Sequence, residues 1–438
     1  MTAELAALYP AHLARVMANA TAALAVAGFD HLLIASGTWR NRFLDDHPYP
    51  FCANPHFKHW LPLTDHSDCW IAFTPGQRPL LIYFQPDDYW HQSAAAPSGY
   101  WLEHFEVRVI QTPEQAGAHL PASGRAAIIG EAEWGLAGWL PNNPPVVLNH
   151  LHYQRASKTE YELANLRRAS RRAVAGHRVA ATLFHEGAAE MDIHRAYLIA
   201  VGHTENELPY GNIVALNEHA AILHYQHQRL NKPPVHHSFL IDAGAQVNGY
   251  AADITRTYSA VDDEFQSLID ALDSAQLALC DQVRIGRPYP DIHLDAHARI
   301  AHILKDQDLV RMDPQSMLAT GVTSAFFPHG VGHLLGLQVH DIGGFMATAD
   351  GDVQPCPEGH RFLRLTRTLE ENFVVTIEPG IYFIDRLLAE IKAGRHAGSV
   401  HWDKVDRLRR FGGIRIEDDV RVTTGQPENL TRDAFAAH

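Results

Sequence analysis

The stretch Ser238-Phe239-Leu240-Ile241-Asp242-Ala243-Gly244, continued by Asn248-Gly249-Tyr250-Ala251-Ala252-Asp253-Ile254-Thr255, decides how the chain is read. An apolar run ends in an aspartate, an Asn-Gly pair follows, and a second extended run carries another aspartate. Asn-Gly between two such runs predicts a hairpin, because both residues of the tight turn need positive φ. With Asn248-Gly249 as the turn, Val247 faces Tyr250, Asp242 faces Thr255 and Asp253 faces Gly244. Side chains alternate faces along a strand, so Asp242 and Asp253 share a face as diagonal neighbours, about 7–8 Å apart. Two carboxylates reaching inward from an apolar sheet repel each other and are costly to bury unless a cation compensates them. The bland alternative is a pair of turn-adjacent aspartates in solvent, and the hairpin alone does not choose between the two.

A chain of 438 residues can bury a large core, and its length suggests two domains. The 36 basic residues stand against 50 acidic ones, a net charge of −14. That balance argues against nucleic acid or an anionic membrane as partner, since both require a basic footprint. Cys52, Cys69, Cys280 and Cys356 are widely spaced with no CxxC pair, which fits a reducing cytosol better than a disulfide framework. Met1-Thr2-Ala3-Glu4-Leu5 lacks the basic-then-apolar pattern of a signal peptide, and no run approaches the roughly 20 apolar residues that span a bilayer. The expectation is a cytoplasmic protein.

Residues 5–27 have helical apolar spacing, with Pro10 expected to break them into a short piece and a main helix. Strands are predicted at His31–Ala35, Cys69–Thr74, Leu80–Phe84 and Ala126–Ile129, alternating with helices as in an α/β domain. Asp87-Asp88-Tyr89-Trp90-His91 reads as an exposed aromatic loop suited to packing or a subunit contact. After the turn-rich Pro141–Pro145 break, Ser157-Lys158-Thr159-Glu160 has a capping-box pattern that opens a helix to about Phe184. A second helix is predicted over Met191–Val201, and short extended segments at Leu208–Leu216 and Ala221–Tyr225. Residues 263–283 and 291–305 read as helices, Asn372–Glu378 as a strand ending at Pro379-Gly380, and Gly413–Val422 as a final strand. Asp385–Arg410 is charged, with helical character at its start. The resulting domains are 1–156 and 157–438.

The second of these supplies Asp242, Asp253, His333, Glu378 and Glu417, each at a strand end or glycine-rich turn. Any one of them alone reads more simply as a solvated carboxylate or a core histidine. Four carboxylates and an imidazole together form a hard, oxygen-rich ligand set that suits Mn²⁺ and accepts Co²⁺, Fe²⁺ or Zn²⁺. Four carboxylates also balance two divalent ions, the charge logic of a two-metal site.

In order and in local context, these five residues match the metal-ligand positions of the pita-bread metallopeptidases, and the chain resembles that family over nearly all of 157–438. The preceding domain resembles the N-terminal domain of prolidases, aminopeptidase P and creatinase. Pro328-His329-Gly330-Val331-Gly332-His333-Leu334-Leu335-Gly336-Leu337-Gln338-Val339-His340-Asp341 and Thr376-Ile377-Glu378-Pro379-Gly380-Ile381-Tyr382-Phe383 resemble the bacterial Xaa-Pro dipeptidases. The resemblance implies an α/β (α+β) architecture with a smaller N-terminal domain and a pita-bread catalytic domain. It implies hydrolysis of the imide bond of dipeptides with C-terminal proline, using two divalent ions, Mn²⁺ first. Asp242 would hold one ion, His333 and Glu378 the other, and Asp253 and Glu417 would bridge. Glu378 would carry the proton from the attacking water to the leaving nitrogen. His329 and His340 would hydrogen-bond the substrate and the developing oxyanion. His224 and Tyr210 would line the substrate pocket; Arg415, two residues before Glu417 on the same strand face, would meet a substrate carboxylate or the bridging carboxylates, with Arg364 and Arg367 as weaker partners for the substrate's. Some relatives also hydrolyse organophosphorus triesters and fluoridates, and homodimers formed through the N-terminal domain are common, with Asp87–His91 as the segment to close over a partner's site. The rival readings are an aminopeptidase P acting on longer Xaa-Pro peptides and a non-catalytic peptide-binding domain.

Overall fold

The computed structural model describes residues 2–90 and 94–437, which form two compact units. The first comprises Met1–Asn165 with Asn248–Tyr250 and Met346–Asp352. Its centre is a five-stranded mixed sheet in the order Glu106–Ile110, Leu80–Phe84, Trp70–Phe73, His31–Ala35, Ala126–Ile129. Four of these strands are the apolar runs of the sequence. The fifth, Glu106–Ile110, is an edge strand buried only at Ile110, so it carries no hydrophobic alternation to betray it.

Pro10 does not break the first helix, which runs unbroken from Thr2 to Ala27. Leu5 and Tyr9 on one side of Pro10, and Leu13 and Val16 on the other, are all buried, and the Tyr9 hydroxyl bonds the Trp60 carbonyl at 2.6 Å. A continuous packed face outweighs the one hydrogen bond that proline removes. The capping box also differs from expectation. Thr159, not Ser157, caps the helix Glu160–His185: the Thr159 N–H donates to Glu162 at 2.8 Å and the Glu162 N–H to the Thr159 hydroxyl at 3.4 Å. Two overlapping Ser/Thr-x-x-Glu patterns compete here, and the one nearer the amphipathic run is used. The loop at Asp87–Trp90 is exposed at Tyr89 and Trp90, while His91 lies outside the described residues.

The second unit, Leu166–Val247, Ala251–Phe345 and Val353–His438, holds both arms of the hairpin, residues 238–247 and 251–259. Asn248 and Gly249 take φ of 53° and 86°, as a two-residue turn requires. Asp242 pairs with Thr255, the Ala243 N–H reaches the Ile254 carbonyl at 3.0 Å, and the Ala252 N–H reaches the Ala245 carbonyl at 2.9 Å. The register is therefore the one read from the turn. Ile213–Leu216 joins the other edge of Ser238–Asp242, and Phe239, Ile241 and Ile254 pack with Val174, Phe184 and Tyr197. The helices Glu190–Val201, Glu264–Cys280, Tyr289–Asp306 and Asp385–Ala393 follow the predicted segments.

Ala221–Tyr225 is not a strand. It ends a 3-10 turn that runs from Asn217 to Ala221, where Asn217 has φ of 58° and turns the chain. The predicted strand Asn372–Glu378 shortens to Val374–Ile377, and the chain re-enters a strand at Gly380–Tyr382 beyond Pro379. Gly413–Val422 is split likewise: Gly413–Arg415 pairs with Gly380–Tyr382, and Asp418–Arg421 with Val374–Ile377. Glu417 sits at the break, where it bridges to Thr255. Breaking the ladder there aims its side chain into the sheet junction. Among the described residues no helix is long and apolar enough to cross a membrane.

Candidate active site

A cleft of about 980 Å³ in the second unit is lined by Asp242, Asp253, His333, Glu378 and Glu417, together with His224, His329, His340 and Arg415. Ligand atoms of Asp253, His333 and Glu417 lie within 4.8 Å of one another. His333 Nε2 stands 3.4 Å from Asp253 Oδ2 and 3.6 Å from Glu378 Oε1. Its Nδ1 lies 2.9 Å from the Leu334 carbonyl, which can only accept, so Nδ1 carries the proton and Nε2 is aimed at the carboxylates. His333 is held there because Leu334 and Leu335 run along Val374 and Val375, the Thr376 N–H donates to the His333 carbonyl at 3.0 Å, and the Glu378 N–H to the Val331 carbonyl at 2.8 Å. Gly332 makes this approach possible: a Cβ there would lie 2.2 Å from the Thr376 carbonyl oxygen and 2.3 Å from the Tyr289 hydroxyl, at φ +153°.

Four carboxyls share the cleft with Arg415 and, at their centre, the His333 imidazole. Burial, with Asp253, Glu378 and Asp242 nearby, pushes Glu417 well above the carboxylate range. Burial lifts Glu378 to about 7 against the opposing pull of His333 and Arg415. Asp242 is also raised by burial, despite Arg415. Burial pushes Asp253 up too, but the hydrogen bond and charge of His333 bring it below its ordinary value. His333 is raised in turn: burial opposes its charge, and Asp253 and Glu378 favour it. Asp242 Oδ1 and the Tyr210 hydroxyl are buried without a hydrogen bond of good geometry among the described residues. An orphaned carboxylate oxygen, an imidazole of fixed tautomer and three carboxyls pushed upward are the features that two hard divalent cations would satisfy.

The remaining candidates fall into different places. Arg415 is buried and engaged inward, reaching Asp242 Oδ2 at 2.7 Å, the Tyr382 hydroxyl at 2.9 Å and Thr255 Oγ1 at 3.3 Å. His329 has protein partners at both nitrogens: the Gly330 carbonyl at Nδ1 and the Tyr382 hydroxyl at Nε2, each at 2.8 Å. His340 is exposed to the cleft with its ring centroid 4.3 Å from that of His333. Burial and the His333 and Arg364 charges hold it down to about 4, so it is neutral at pH 7. His224 is exposed on the cleft wall. Tyr210 does not line the cleft, and its hydroxyl faces the Asp242 and Asp253 carboxylates from behind. Arg364 is exposed on the cleft, whereas Arg367 is buried, pairs with Glu370 at 2.8 Å and lies over the Phe373 ring.

Three residues of the site have no role assigned from the sequence. Thr255 Oγ1 donates to Glu417 Oε2 at 2.6 Å, Tyr382 links Arg415 to His329, and Asp419 accepts the Asp253 N–H at 3.2 Å. Thr255 could have been found, since the hairpin register sets it opposite Asp242. The partners of Tyr382 and Asp419 lie too far along the chain for local pattern to reveal.

Comparison with known proteins supports the same reading. The family described as Xaa-Pro dipeptidase, N-terminal domain, matches residues 7–153, and metallopeptidase family M24 matches residues 164–424. An Xaa-Pro dipeptidase of Xanthomonas campestris pv. campestris is 54% identical over 436 residues, covering 99% of both chains. One from Stenotrophomonas maltophilia K279a is 53% identical over 433 residues, covering 98% of both. Among solved structures, Zn-substituted Escherichia coli aminopeptidase P in complex with product superposes with a TM-score of 0.71 at 21% identity, over 96% of this chain and 95% of that one. Pseudomonas aeruginosa aminopeptidase PepP gives 0.72 at 22% identity, with the same coverage. At such identities the structural likeness establishes the fold, in agreement with the expected pita-bread architecture.

Proposed function

Because the chain belongs to metallopeptidase family M24, we propose that it is an Xaa-Pro dipeptidase working with two divalent ions in the cleft of Asp242, Asp253, His333, Glu378 and Glu417. The observation that carries the proposal is the convergence of Asp253, His333 and Glu417 ligand atoms within 4.8 Å, flanked by Asp242 and Glu378. Bound there, the ions supply Lewis acidity to an attacking water and to the scissile carbonyl. We assign Mn²⁺ first, on the oxygen-rich donor set.

The residues divide the remaining work. Glu378, a carboxylate on the cleft wall beside His333, is assigned the proton taken from water and returned to the proline nitrogen. That nitrogen needs a proton because a secondary amine leaves poorly as an anion. His340, neutral and open to the cleft, is placed to donate to the developing oxyanion. Arg415 holds Asp242 and, through Tyr382, orients His329, so its donors serve the protein rather than a substrate carboxylate. Arg364 is the better partner for that carboxylate, since it lines the cleft and its charge is felt at His340. The proposal includes a division of the chain at 156/157, a cytoplasmic location, a homodimer, and organophosphorus triester hydrolysis as a side reaction.

The test is hydrolysis of Ala-Pro beside Ala-Pro-Ala by metal-stripped protein, with and without Mn²⁺. Mn²⁺-dependent cleavage of the dipeptide alone is expected. Cleavage of the tripeptide would move the assignment to aminopeptidase P, and cleavage of neither by metal-loaded protein would overturn it.

A further inference from the structure

Beside the metal cleft, three histidines crowd together: His293 and His297 on the helix Tyr289–Asp306, and His360 from the irregular segment between Phe326 and Val374. Their ring centroids lie 4.6–4.8 Å apart. A buried i, i+4 histidine pair with a third imidazole invites a zinc reading. The hydrogen bonds oppose it. The Val331 backbone N–H donates to His293 Nδ1 at 3.2 Å, so that nitrogen is unprotonated. A neutral His293 must then carry its proton on Nε2, which lies 2.9 Å from His360 Nδ1. The atom a metal would need is occupied by a hydrogen. Burial, reinforced by His297 and His360, pushes His293 down to about 2 and keeps it neutral.

The Val331 N–H matters because of where it lies. Val331 stands midway between His329 and His333, and its carbonyl accepts the Glu378 N–H at 2.8 Å. One turn before His293 on the same helix, the Tyr289 hydroxyl bonds the Thr376 carbonyl at 2.7 Å. Tyr289 and His293 thus grip the two adjacent backbones that carry the site, at points two residues from Glu378 and from His333.

We propose that His293 is a positioning residue: by accepting the Val331 N–H it fixes the backbone between His329 and His333, and with it the placement of both imidazoles against Glu378. The proposal rests on the metallopeptidase reading of the cleft. Without that acceptor the Val331 N–H is left unpaired in the interior, and the loop can relax away from Val374–Ile377.

Asparagine and glutamine separate this role from simple packing. Asn Oδ1 falls where His Nδ1 lies and can still accept the Val331 N–H, whereas Gln places its amide near Nε2. His293→Gln and His293→Ala are expected to lower kcat on Ala-Pro by roughly tenfold or more, the scale of one unpaired buried donor, while His293→Asn stays within about threefold of wild type. In the metal-free protein, amide exchange of the Val331 segment should accelerate in the Gln variant and stay near wild type in the Asn variant. Mn²⁺ affinity should follow the same order. Equal exchange and equal Mn²⁺ affinity for Asn and Gln would overturn the proposal, even if the Ala variant fails to fold. Wild type that binds Mn²⁺ but leaves Ala-Pro intact would count against the dipeptidase reading, while exchange and affinity still decide the role of His293.

Discussion

Glu417 and Asp418 are neighbours in one chain segment, both buried, yet their surroundings follow opposite rules. Asp418 meets Arg256 at 2.6 Å and Arg432 at 2.7 Å, and accepts from Asn429 at 2.8 Å. Burial alone would raise it, but these partners bring it down to about 2. Glu417, facing the other way, meets three more carboxylates and is pushed well above its usual range, burial again leading. One side of the segment is charge-balanced by the chain itself, and the other only in part, by Arg415 and His333. Structure-building carboxylates are paired within the fold, while site-building ones are left with surplus charge for a ligand to neutralise.

Substitution on the cleft side has the largest expected effect. Glu417→Gln should lower kcat/KM on Ala-Pro by roughly three orders of magnitude, the scale of about 4 kcal/mol of lost charge stabilisation, with loss of bound metal by elemental analysis. Its metal-free stability in urea should hold or rise, because a buried carboxyl crowded by three others is replaced by an amide that never ionises. Asp418→Asn should do the reverse. It takes the shared carboxylate from Arg256, which keeps the Thr255 and Glu417 carbonyls, and from Arg432, which keeps Asp273, costing about 3 kcal/mol of stability by urea unfolding, while metal content is retained in the folded fraction.

The effect of pH sharpens the contrast. Glu378 has a folded value of about 7 against an ordinary 4.5, so its favourable contribution is present at low pH and is lost as pH rises through 7. Asp418 contributes above its ordinary 3.8, and that contribution is lost as pH falls towards 2. His12 and His177 are held neutral by burial, at about 4 and about 3, so the unfolded chain alone gains protons below 6.5 and stability declines with acid. The expected outcome is that Mn²⁺ raises the Tm more at about pH 7.5 than at about pH 5.5, because protons replace metal at the cleft carboxyls. An equal gain at both would contradict the assignment of surplus charge to the cleft.

The smallest expected effect comes from Tyr382→Phe, which cuts the Arg415–Tyr382–His329 chain and leaves every carboxylate in place. A decrease of about tenfold in kcat, with metal affinity unchanged by calorimetry, is the scale of one buried hydrogen bond.

What the sequence disclosed follows the range of the forces involved. The hairpin register was legible because Asn248-Gly249 fixes it locally, and Thr255 facing Asp242 followed from it. The converging carboxylates were legible through their order and contexts. Pro10 misled because propensity is local and the packed face of Leu5, Tyr9 and Leu13 is not. The Arg415-Ile416-Glu417-Asp418-Asp419 run could be read as a solvated face, yet Asp418 and Asp419 are fully buried. Two of their partners, Arg256 and the Asp253 N–H, lie far along the chain, and the third, Arg432, sits in the next helix, beyond the reach of a strand's own pattern.

The most direct test of the central claim is a Mn²⁺ titration of metal-stripped protein, following bound metal and Ala-Pro hydrolysis together. Activity is expected to appear with binding and to saturate at about two ions per chain, the number four carboxylates can balance. Full hydrolysis in the presence of excess chelator, with no bound metal, would contradict it.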